Sequence, residues 1–115
     1  MLEIAVFVFA AGALGGLVLA SSVLRGKLAP WSISLIHAGV GAAGLILVAL
    51  AVLGGNASGL IPTALIILVV AALGGFYLAS RHLKNQVAPK PVVLIHALVA
   101  VTGFVILAGS VYNLI

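Results

Sequence analysis

The chain has no cysteine in its 115 residues, which excludes disulfides, thiolate metal sites, iron–sulfur clusters and a covalently attached c-type haem. Acid is nearly as scarce: Glu3 is the one carboxylate side chain, against five Lys and Arg. Charged residues make up 5% of the sequence, where a soluble domain carries roughly 25%. No nucleophile–base pair, phosphate-binding loop or metal cage is visible, so an independent enzyme is not expected. Five cations without a basic groove also exclude nucleic-acid binding, although the sequence pI is about 10.2. What remains is apolar, at 65% hydrophobic residues, and its natural solvent is the lipid bilayer.

Four apolar stretches each reach the roughly 20 residues that a spanning helix needs. They run approximately over 4–24, 31–53, 60–80 and 92–114, separated by Gly-, Pro-, Asn- and cation-bearing breaks. Pro30, Pro62 and Pro89 sit where a following helix begins, a position that tolerates the missing N–H. The first stretch leads straight from Met1 without a basic segment, and its second half is repeated later, so a helix is expected rather than a cleaved leader. Arg25, Lys27, Arg81, Lys84 and Lys90 all fall in the first and third breaks. By the positive-inside rule, loops 25–30 and 81–91 are cytoplasmic and both termini lie outside, as in a bacterial inner membrane.

A shift of 59 residues aligns 13–53 with 72–112 without a gap, with 18 of 41 positions identical. Each unit holds two helices, so the copies enter the membrane in the same sense, related by a pseudo-two-fold axis along its normal. The expected fold is therefore an all-α integral membrane four-helix bundle. It is a single domain over 1–115, built from two parallel two-helix repeats, about 1–56 and 57–115.

The repeat carries one histidine per copy, in the shared frame A-P-x4-L-I-H-A-x-V-x3-G. An ionisable side chain at membrane depth marks a function and requires a partner, and the partner of His37 is its own copy, His96. Two imidazoles at one depth on two helices fit the axial ligands of one haem b, with iron as the bound metal. A two-fold axis between them passes through a shared iron, and haem b has nearly that symmetry. Its propionates would point to the nearer, basic surface, where Arg25 and Lys84 are the symmetric cations and Ser21 and Ser80 lie four residues before them. Gly41 and Gly44 follow His37 on one helical face, with Ala100 and Gly103 as their counterparts. Such small residues offer a shallow groove for a flat macrocycle; they equally let membrane helices pack closely.

The segment His96-Ala-Leu-Val-Ala-Val-Thr-Gly103-Phe104-Val-Ile-Leu-Ala-Gly109 is similar to a ligand helix of the ascorbate-reducible membrane b-type cytochromes. In that family a haem-binding His is followed seven residues later by Gly, then Phe and aliphatics. The resemblance implies axial-ligand roles for His96 and, through the repeat, for His37. That family has six spans and two haems, whereas the single histidine pair here leaves one haem at most.

The expected function is membrane electron transfer, or a haem-bearing subunit of a larger redox complex, exchanging electrons with a quinone or a redox protein. Chlorophyll, one per histidine, is a variant of this reading. A second reading is a non-catalytic assembly subunit, in contact with other membrane subunits or its own copies, whose histidines bond across a tight helix pair. A third is a small transporter, disfavoured because no acid lies deep within a span. Gly12, Gly16 and Ala20, repeated as Ala71, Gly75 and Ala79, form small-residue ridges for close packing. Trp31 and Tyr112 read as interfacial anchors. His82 has Val23 as its counterpart and reads as a surface or snorkelling residue.

Overall fold

A computed structural model describes all 115 residues as four helices: α1 (Leu2–Leu24), α2 (Trp31–Leu53), α3 (Ile61–Leu83) and α4 (Lys90–Val111). At 1.5 Å per residue each is about 33–35 Å long, enough to cross a hydrocarbon core of about 30 Å. All four are apolar enough to do so. α2 has the expected bounds, α1 ends where expected, and the other ends differ by one to three residues. α3 runs on through Arg81, His82 and Leu83, and Lys90 and Pro91 form the first turn of α4. The repeat also governs how the helices begin, with Pro30 and Pro89 as extended N-caps of α2 and α4.

All four helices end in the same way. Gly26 (φ +74°) donates to Val23 O, and Lys27 N reaches back to Ser22 O at 3.0 Å, closing the carboxyl end of α1. Gly55 and Asn56 repeat this on α2, Asn85 and Gln86 on α3, and Asn113 and Leu114 on α4. The left-handed residue is Gly or Asn each time, the types that tolerate positive φ. These caps satisfy carbonyls that lipid cannot, which is what permits sharp reversals near a membrane surface.

The helices run up and down around a square. α1 packs most closely on α2, and α3 on α4, so each repeat is a tight hairpin; α1 also meets α4, and α2 meets α3. α2 and α4, the two histidine helices, stand on one diagonal, with α1 and α3 on the other. The compact core lies at the end that holds the termini and the α2–α3 loop. There Ala5, Val6, Val48, Ile61, Ala64, Leu68 and Leu107 are buried against one another. Large side chains such as Phe7, Leu17, Leu53 and Phe76 point outward instead, each at least two-thirds exposed. That apolar outer surface is the one expected of a bundle dissolved in lipid.

Candidate functional site

His37 and His96 come together between the diagonal helices, with ring centres 6.3 Å apart and ring planes at 82°. Both are half-buried. The Nδ1 of His37 donates to Gly12 O at 2.8 Å, and that of His96 donates to Ala71 O at 2.8 Å. A carbonyl oxygen only accepts, so both bonds fix the Nδ1–H tautomer and leave each Nε2 with its lone pair free. This is the state in which a histidine binds a metal, with its other nitrogen committed to a carbonyl. No hydrogen bond joins the two imidazoles to each other.

The small-residue ridges are what bring these rings in. His37 lies on Gly12, Gly15 and Gly16 of α1, and His96 lies on Ala71, Gly74 and Gly75 of α3. A Cβ on Gly16 would stand 3.1 Å from His37 Cε1, and one on Gly75 would stand 3.2 Å from His96 Cε1. The ridges thus serve the close packing expected of them, and the group they admit is the imidazole.

The expected groove beyond the histidines is only partly there. Gly44 is buried under the Phe9 ring, whose Cζ would lie 2.8 Å from an added Cβ. Gly103 is covered by Leu68, at 2.8 Å from Cγ, and by Ile67. Both positions therefore receive side chains of the neighbouring helix. Gly41, one turn beyond His37, has no atom within 4 Å of an added Cβ, and its counterpart Ala100 is half-buried.

The polar residues at the basic end also fall differently. Ser21 is exposed, as is Arg25, whose Nε donates to Ser21 O at 3.1 Å. Ser21 follows Gly16 by five residues, about 140° further round the helix, and so faces away from His37. Ser22 is the serine that turns inward on α1, and it bonds back to Val18 O. In the second copy Ser80 donates to Tyr77 O at 2.6 Å, and Lys84 is exposed. Arg81 is held over the Tyr77 ring and donates to Gln86 Oε1 at 2.8 Å.

His82 is the residue the sequence reading misplaced. It is 9% exposed, stacked on Trp31 with ring centres 3.8 Å apart and planes at 12°, and its Nδ1 meets Ser34 Oγ at 3.2 Å. Its Nε2 is buried without a partner. The signal was present in the repeat: the counterpart Val23 is apolar and half-buried, so this position faces inward in both copies. Trp31 remains at a helix start, but the face it covers is the His82 ring.

Comparison with known proteins gives no match. No family model, no curated protein and no solved structure is recognisably similar to the chain. The functional reading therefore rests on the histidine pair itself.

Proposed function

We propose that the protein carries one haem b between α2 and α4, as a membrane electron carrier or the haem-bearing subunit of a larger redox complex. His37 and His96 would hold its iron. The observation that carries this reading is the spacing of the two rings, 6.3 Å between centres. Two imidazoles sharing one metal have bonds of about 2.0–2.1 Å and roughly 1.1 Å from nitrogen to ring centre, so their centres lie about 6.2–6.4 Å apart. A direct N–H···N bond of about 3 Å would bring the centres to about 5.2 Å. Two separately ligated chlorophylls stacked between the rings would need about 3.5 Å more than one shared centre.

The donor set agrees with the spacing. Both imidazoles are held as the tautomer with Nε2 free, by carbonyls on the adjacent helix of the same hairpin. When bound, the haem supplies one-electron chemistry. The chain would hold it by the two Nε2 atoms, with both rings kept from rotating by their Nδ1 bonds and water excluded by apolar helices. The propionates would reach the basic end, where Arg25 and Lys84 are exposed. That end carries loops 25–30 and 81–91 and faces the cytoplasm, with the termini outside, in a bacterial inner membrane. A quinone or a redox protein is the exchange partner.

A second reading has its own support. Each Nδ1 bond ties two helices of one hairpin, and rings at 82° and 6.3 Å are also an ordinary edge-to-face contact. In that case the histidines pin an assembly subunit and bind nothing. Absorption spectra of the purified membrane protein, oxidised and then reduced, separate the two. A sharp b-type α-band on reduction supports the haem, and a colourless protein, with haem freely supplied, removes it.

A further inference from the structure

We infer that Gly16 and Gly75 are positioning residues for the histidine pair: they let each ring reach the carbonyl that sets its tautomer and its strength as a ligand. The electronic half of this inference rests on the proposed ligation, and the positional half does not.

The two copies give the same geometry independently. Beside Gly16 an added Cβ would lie 3.1 Å from His37 Cε1, and beside Gly75 it would lie 3.2 Å from His96 Cε1. Ordinary carbon–carbon contact is about 3.5–4.0 Å, so a methyl group there must move the ring by a few tenths of an ångström or twist it. The ring has little room to yield, because its Nδ1 is bonded on the same side to Gly12 O or Ala71 O at 2.8 Å. Displacing the ring therefore lengthens or bends that bond, which weakens steeply with angle.

The adjacent glycines behave differently. A Cβ on Gly15 would lie 3.7 Å from His37 Cβ, and one on Gly74 would lie 3.6 Å from His96 Nδ1, both ordinary contacts. Adjacent helical residues point about 100° apart, and it is Gly16 and Gly75 that face the ring, the close contact at each being the imidazole Cε1.

The consequence reaches the metal. A histidine that donates Nδ1–H to a carbonyl is a more basic ligand through Nε2. More basic ligands favour the ferric iron, so weakening the bond raises the reduction potential. No side-chain substitution can delete a backbone carbonyl, so the glycine facing the ring is the position through which the sequence adjusts this bond.

The test compares Gly16→Ala and Gly75→Ala with Gly15→Ala and Gly74→Ala. The first readout is made on haem-free protein labelled with 15N-histidine. In the wild type, and in the Gly15→Ala and Gly74→Ala variants, His37 and His96 are expected as a single Nδ1–H tautomer. Gly16→Ala is expected to give mixed tautomers at His37, and Gly75→Ala at His96, each leaving the other ring unchanged. The second readout is the haem midpoint potential. It is expected to rise in the first pair, changing the ferrous-to-ferric ratio at the wild-type midpoint about threefold, with bis-imidazole spectra retained. Equal effects of alanine at 15 and 16, or unchanged tautomers at 16 and 75, overturn the inference. Should one variant fail to accumulate, its counterpart in the other repeat reads the same geometry on the second ring. A wild-type protein that binds no haem removes the proposed function, while the tautomer measurement still decides the role of the glycines.

Discussion

Replacing His37 or His96 singly with Leu is the perturbation that separates a ligand from a structural pin. The structure fixes how little the fold should suffer. Each imidazole makes one hydrogen bond, to Gly12 O or Ala71 O. A typical intramolecular hydrogen bond contributes about 0.5–1.5 kcal/mol, and polar bonds within membrane bundles average about 0.6 kcal/mol. The carbonyl left behind keeps its own helical N–H, so no new orphan is created. Leu is close to His in volume and transfers into an apolar bundle more readily. The net loss should be within about 1 kcal/mol, measurable by denaturant titration in mixed micelles with circular dichroism as the signal. Against that small change, bound haem should be lost, or its low-spin spectrum should collapse to a five-coordinate form, with either substitution alone. A stability loss above about 3 kcal/mol in either variant would show the histidines to be structural pins. Unaltered pigment in both would remove them as ligands.

Three further outcomes follow from other parts of the bundle. His82→Phe keeps the stack on Trp31 and removes the unpartnered Nε2, and Ser34 can turn to a carbonyl of its own helix. Because an unmade buried bond costs about 1–3 kcal/mol, the variant should be as stable as the wild type or up to about 1 kcal/mol more so. A clear destabilisation in the same titration would mean that Nε2 has a partner. Arg25→Gln with Lys84→Gln should lower the reduction potential or haem retention, since the cations favour the less positive ferrous iron, and redox titration reads this directly. A reporter fused after Ile115 should be active only outside the cytoplasm, and activity inside would reverse the topology.

How far the sequence carries depends on whether a feature repeats. The helices, their proline starts and the histidine pair are all written twice, 59 residues apart, and the structure places all of them as a repeat requires. The pairing of His37 with His96 follows from that symmetry, because equivalent helices of two hairpins fall on one diagonal. Features decided by what a neighbouring helix presents were not legible. Gly44 and Gly103 are equivalent and small, and the Phe9 and Leu68 that fill them are also 59 residues apart, but these differ in type and precede the aligned stretch. Symmetry is also no guide to burial: Ser21 and Ser80 are duplicated, while the inward serine of α1 is Ser22, whose counterpart is Arg81. Without a histidine twin His82 reads as a surface residue, although its half-buried Val23 counterpart marks an inward face. Fine placement inside a bundle depends on helix phase, and one residue of phase is about 100°.

Low-temperature electron paramagnetic resonance of the ferric protein, purified from membranes supplied with haem, tests the central claim most directly. The imidazole planes stand at 82° to each other, and if both rings bound one iron at that angle, its two dπ orbitals would be nearly degenerate. The shared-ligand reading therefore predicts a low-spin, strongly anisotropic signal dominated by one large g value, which either His37→Leu or His96→Leu abolishes. A high-spin signal, the rhombic spectrum of parallel imidazoles, or no iron signal at all would contradict it.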